Sequence, residues 1–170
     1  MEYQMGNGLT AEVRARCIHH LRDEYLPRIE RAARLIDEED LWWRPNPECT
    51  SPGNLLLHLE GNVRQWILSG LAGRDDARRR QTEFDATSGA KVEELLERLR
   101  STVEEACAVI AALDEGDLLR RHDIQVFENV SAFAAILHVV EHFSWHAGQI
   151  AWIAKMKSGK DLRYYEEPLE

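Results

Sequence analysis

Four of the seven histidines, His58, His138, His142 and His146, stand in the two most apolar stretches of the chain, NLLLHLEGN and AFAAILHVVEHFSWHAGQIAWIAKMK. A buried imidazole needs hydrogen-bond partners, so this placement requires a reason. On a helix, residues four apart turn by about 40° and rise by about 6 Å, which aligns His138, His142 and His146 in one stripe. Two imidazoles bound to one ion at about 2.0–2.1 Å bring their nitrogens within a few ångströms of each other, which adjacent members of the stripe can do. His138 and His146, about 12 Å apart along the axis, cannot readily share an ion. Geometry therefore leaves two pairs open, His138/His142 and His142/His146, with His58 as a third ligand from another helix. A lone buried histidine more often satisfies a core hydrogen bond, but two side by side need separate partners in a core that offers few.

Three neutral imidazoles leave the full double charge on a divalent ion and at least one open coordination position. Such a site can bring the pKa of a bound water to about 7 or bind a thiolate directly. Asn62 and Gln149, one turn beyond His58 and His146, point toward similar faces and are candidates to orient ligands or a cofactor. His138-Val139-Val140-Glu141-His142 also matches the H-x-x-E-H pattern of inverted zinc peptidases, with Glu141 as general base. That reading is the weaker one, because its acidic third ligand would have to come from Glu166, Glu167 or Glu170 in a short tail. A ferritin-like di-iron site needs Glu-x-x-His, and no histidine here has Glu three positions before it. The run Arg78-Arg79-Arg80 reads as a solvated face, and His19, His20 and His122, set among charges, as exposed.

The elements that must position these groups follow from apolar spacing. A first helix is expected from a Thr10 cap to about Asp37–Asp40, with a kink at Pro27. LWWRPNPECTSPGN is irregular, and Ser51-Pro52 opens a second helix that stops at Gly70 or Gly73. Beyond a polar connection, Ser88 caps a third helix running to Leu113. RHDIQVF is briefly extended. A fourth helix runs from Ser131 to Gly159, is apolar around most of its circumference and is expected to be the most buried. The tail after Lys160 is a loop over one end. The expectation is an all-α four-helix bundle, one domain over residues 1–170.

With 21 basic against 30 acidic side chains and a formal charge of -9, the field repels nucleic acid and anionic membrane. No apolar run is long enough to span a bilayer, and the N-terminus lacks the layout of a signal peptide, so a cytoplasmic protein is expected. Cys17, Cys49 and Cys107 are odd in number and widely spaced, as idle thiols are. Five tryptophans are more than one small core readily hides, which points to a homodimer.

NLLLHLEGN and HVVEHFSWHAGQI, together with Trp42-Trp43-Arg44-Pro45, the RRRQTEF connection and the closing H-x-G-Q, resemble the DinB/YfiT-like superfamily over nearly the whole chain. The resemblance implies a four-helix bundle of that type, and metal ligands at His58, His142 and His146. It also implies nickel or zinc as the ion, and commonly a homodimer. Relatives include thiol-dependent transferases and isomerases that use bacillithiol or mycothiol. The expected activity is that of a metal-dependent hydrolase or thiol S-transferase acting on a small molecule, with a low-molecular-weight thiol as possible cofactor. Ala147 departs from the pattern, since relatives often carry an arginine there that could contact an anionic thiol. The alternative is a non-catalytic helical binding protein in which the ion only pins two helices together. A closed fourth ligand would mark that role, and an open position beside a pocket would mark an enzyme.

Overall fold

The computed structural model describes residues 8–164. Helix α1 (residues 9–33) comprises regular turns at Leu9–Ile18 and Leu26–Ala33 joined by a widened π stretch, His19–Tyr25. The widening precedes Pro27, which has no N–H to return to the carbonyl of Asp23 and whose ring crowds that carbonyl. The expected kink is thus an absorbed bulge. The helix opens one residue before Thr10, at Leu9 after Gly8, and it ends at Ala33 rather than near Asp37–Asp40. There the hydrogen bonds tighten to Leu35 N–H with Ala32 O and Ile36 N–H with Ala33 O. The tightened turn lowers Ile36 and Leu41 into the core.

Helix α2 (residues 52–69) starts where Ser51-Pro52 placed it. The Asn54 N–H donates to Ser51 Oγ at 3.2 Å and the Ser51 N–H donates to Asn54 Oδ1 at 3.0 Å, so each residue caps the other. Trp42 lies flat on its first turn: a Cβ at Gly53 would come within 2.8 Å of the indole. Trp43 folds back as well, its ring beneath the Lys157 ammonium at 4.1 Å. The polar connection contains a short helix, α3 (Arg80–Asp85).

Helix α4 (Val92–Ala112) begins after Lys91, whose N–H donates to Glu94. Ser88 is therefore not its cap, because the Glu94 carboxylate supplies the acceptor nearer the first turn. Helix α5 (Glu115–Leu119), closed by reciprocal caps between Asp114 and Asp117, was not anticipated. The extended stretch becomes an antiparallel hairpin of β1 (Arg121–Ile124) and β2 (Phe127–Ser131), paired Arg121 with Ser131 and Ile124 with Phe127. Helix α6 (Ala132–Ser158) is capped by Ser131 Oγ and stopped by Gly159 at φ 65°, as its sequence indicated.

The long helices form a ring: α1 packs on α6 and α4, and α2 packs on α4 and α6. Leu21, Ile29, Leu59, Leu99, Val103, Val139, Phe143 and Ile150 fill the shared core, each fully buried. The chain is an all-α helical bundle with one small hairpin. One expectation is reversed. Helix α6 is not hidden, because every helix in such a ring keeps one face toward solvent. Here that face carries Phe133, Leu137, Trp145, Trp152 and Met156, all exposed. The tail closes one end through buried Leu162 and through Tyr164, whose hydroxyl donates to Arg28 O at 3.1 Å. Glu166, Glu167 and Glu170 lie outside the described residues. Among the described residues no helix is long and apolar enough to cross a membrane.

Candidate metal centre

His58 projects from the middle of α2 toward two consecutive turns of α6. Its Nε2 lies 3.0 Å from His142 Nε2, which lies 3.1 Å from His146 Nε2, and the three donor nitrogens fall within 4.8 Å of one another. Nitrogens that share one ion at about 2.0–2.1 Å are spaced about 3–3.5 Å apart at tetrahedral or octahedral angles. The two spacings to His142 match this, and the widest in the cluster, 4.8 Å, must shorten by more than about 1 Å for all three to bind one ion. The fold thus brings His58 together with the His142/His146 pair. His138 stays apart. Its Nε2 faces Asn62 Nδ2 at 3.2 Å, and its ring packs on Trp66 at 4.1 Å between centroids.

Proton positions decide what the three nitrogens can do. The buried Glu83 carboxylate, from α3, lies 2.9 Å from His58 Nδ1 and can only accept. Arg78 Nη2 lies 3.1 Å from the same nitrogen, but its two hydrogens go to Glu83 Oε2 at 2.9 Å and His58 O at 3.4 Å, so His58 Nδ1 carries the hydrogen and its Nε2 presents a lone pair to the cluster. His146 Nδ1 donates in the same way to Gln149 Oε1 at 2.6 Å. A neutral His142 could offer one Nε2 hydrogen to one neighbour, leaving the other lone pair unanswered, while its buried Nδ1 has no partner. Three lone pairs converging without enough protons among them fit a divalent cation.

Electrostatics agree. Burial, then the neighbouring His146 and His58, hold the His142 imidazolium pKa down to about 2, and burial likewise lowers that of His146 and His138. His142 and His146 are thereby neutral at physiological pH, the form a metal requires. Burial alone would raise the Glu83 pKa, but hydrogen bonds from Arg78 and His58 outweigh it and keep the group ionised.

Neither Glu83 nor Arg78 was foreseen. Arg78 belongs to a charge run that reads as a solvated face, yet its side chain is buried: its Nε and Nη2 donate to the two Glu83 oxygens at 2.7 and 2.9 Å. Behind them, Asn54 Nδ2 donates to Glu83 O at 2.8 Å and Ala86 O at 2.7 Å, and Arg44 donates to Phe84 O and Ala86 O. Those bonds fix α3 against α2. Gly61 makes the approach possible, since a Cβ there would sit 2.1 Å from Glu83 Oε1. A glycine inside an apolar helix was the signal available, although only the fold says what it admits.

Of the two orienting candidates, Gln149 reaches the ring of His146, whereas Asn62 reaches His138 instead. Ala147 is buried and brings no charge to the site. His19 and His20, expected to be exposed, are half-buried beside Asp23 and Glu24. On the outer side of the cluster a recess of about 210 Å³ is lined by His138, Glu141, His142, Trp145 and His146. No fourth His, Cys, Asp or Glu joins the three histidines among the described residues.

The family model for mycothiol-S-transferase matches residues 17–155. No curated protein matches the chain. Among solved structures, a conserved protein from Enterococcus faecalis superposes with a TM-score of 0.66 at 16% identity, covering 89% of this chain and 96% of its own. A DinB-like protein from Bacillus subtilis gives 0.62 at 17% identity, covering 86% and 93%. At such identities the likeness is one of fold.

Proposed function

We propose, on the premise that this chain belongs to the mycothiol-S-transferase family of DinB-like proteins, that it is a metal-dependent transferase joining a low-molecular-weight thiol to a small-molecule acceptor. His58, His142 and His146 would hold one divalent ion. The observation that carries this reading is the convergence of three Nε2 lone pairs beside a recess, with no fourth protein ligand among the described residues. A nickel or zinc ion bound there supplies a Lewis acid that keeps a thiol in its thiolate form at neutral pH.

The chain's own groups do the rest. Glu83 holds His58 in the tautomer that frees Nε2, and Arg78 keeps Glu83 charged. Gln149 does the same service for His146. Glu141, exposed at the rim of the recess, is placed to take the proton from an incoming thiol. Residues 1–170 act as one domain in this proposal, in the cytoplasm, where the thiols of Cys17, Cys49 and Cys107 stay free. A second copy would pair on the N-terminal half of α6, where Phe133 and Leu137 follow the exposed hairpin residues Val126 and Phe127. Light scattering over a dilution series checks that pairing, and a constant monomer mass refutes it.

The test of function begins with elemental analysis of protein purified without an affinity tag. About one nickel or zinc per chain is expected, and less than about one-tenth occupancy after incubation with either metal argues against the site. Thiol conjugation to an electrophile should then disappear on chelation and in His142→Ala. Hydrolysis of the same acceptor without thiol, at an equal or greater rate, would make the protein a hydrolase instead.

A further inference from the structure

Next to the histidine cluster, between α6 and the loop before α2, lies a cleft of about 630 Å³. Trp145 and Trp152 form one side, Pro45 and Cys49 the other, and Leu55 and Ile153 lie at its base. Its volume is that of a small-molecule site. The cleft is joined to the candidate centre in two ways. Gln149 lines it while its Oε1 holds His146, and Trp145 borders both the cleft and the recess over the histidines.

Gly148 is the telling residue. It stands three positions after Trp145 and four before Trp152, on the same side of α6. A glycine inside a helix costs about 0.5–1 kcal/mol relative to alanine. Tight packing would explain it, as at Gly61, yet a Cβ at Gly148 would meet nothing within 4 Å. Folding does not require the missing side chain, but an open notch between two indoles does. No lysine or arginine lines the cleft, and Glu48 is its one charged side chain. A polar, anionic thiol finds no partner there, whereas a flat apolar group finds two aromatic faces.

We infer that this cleft is the acceptor subsite: it binds the flat, apolar body of a neutral organic electrophile, an aryl or benzyl group, and turns the reactive carbon toward the recess over the histidines. The inference rests on the thiol-transfer reading. In that transfer the sulfur–carbon bond forms as the bond from the same carbon to its leaving group breaks, and the leaving group departs with the bonding pair.

The probe is 4-(trifluoromethyl)benzyl alcohol, neutral and without a leaving group, titrated by fluorine NMR into metal-free and metal-loaded protein. Saturable one-site binding is expected in both. Gly148→Leu should weaken it by about tenfold or more, the scale of losing an aromatic contact. That variant should melt no lower than the parent, since leucine is the better helix former. Trp152→Ala should weaken binding as well. Non-saturable binding, or a Gly148→Leu variant that binds like the parent, overturns the inference. So does a parent that fails to bind because a second copy covers the two tryptophans, revealed when Gly148→Leu turns dimer into monomer. The two readings fail separately. Saturable probe binding without conjugation of any thiol to a benzyl halide sinks the transfer and keeps the cleft, whereas undiminished conjugation in Gly148→Leu keeps the transfer and sinks the cleft.

Discussion

Replacing Gly61 by alanine should loosen the candidate centre without touching a ligand. The added Cβ would lie 2.1 Å from Glu83 Oε1, 2.8 Å from Arg78 Nε and 3.0 Å from Glu83 Cδ. Carbon and oxygen need about 3.2 Å or more between them, so the carboxylate must retreat by about 1 Å. It has little freedom to do so, because Asn54 holds its backbone and Arg78 both of its oxygens. The contact that yields is the 2.9 Å hydrogen bond to His58 Nδ1. A hydrogen bond to a charged group contributes about 1.5–3 kcal/mol. The gain in helix propensity returns about 0.5–1 kcal/mol. Metal-free protein should therefore lose about 1–2 kcal/mol, a fall in Tm of about 2–8 °C for a chain of this length. With His58 no longer fixed in its tautomer, metal affinity should drop about 10–100-fold. Thermal melts in chelator and competition titrations with nickel or zinc measure the two effects. A Gly61→Ala protein that melts at or above the parent temperature and keeps its metal affinity would refute the proposed link from Gly61 through Glu83 to His58.

Other outcomes follow from the same geometry. His58→Ala and His142→Ala should each abolish metal binding by calorimetric titration, whereas His138→Ala should retain it and cost about 1–3 kcal/mol by leaving Asn62 Nδ2 unpaired and removing the ring that packs on Trp66. Loss of metal in His138→Ala with retention in His146→Ala would overturn the His142/His146 pair and strengthen the H-x-x-E-H reading. Metal-free protein should lose stability below about pH 6.5, since histidines take up protons there when unfolded but His142, with a folded pKa near 2, and the lowered His138 and His146 do not. Melts between pH 7.5 and 5 test this, and a flat or rising Tm contradicts it. With a thiol reagent at pH 8 the native protein should react at Cys49 alone, because Cys17 and Cys107 are buried and burial pushes the Cys107 pKa up to about 12. Rapid modification of either by mass mapping would contradict the packing.

Local chemistry made much of this protein legible from its residues. Ser51-Pro52 and Ser131 open helices because their side chains accept the first free N–H groups or suit the first turn, and Gly159 ends one because it alone turns left-handed cheaply. The four-residue spacing of His138, His142 and His146 set out a stripe, and apolar spacing set out the bundle. Which pair His58 would meet was beyond periodicity. It depends on the relative height and rotation of α2 and α6, fixed by packing across the core. The same holds for Arg78 and Glu83, which sit in a polar connection with no periodic signal and become buried only because Asn54 and Arg44 clamp α3 over Gly61. The solvent face of α6 was hidden for the converse reason. An all-round apolar helix carries no mark of which side its neighbours will leave open, so the position of Trp145 and Trp152 beside a cleft was decided by the tertiary structure alone.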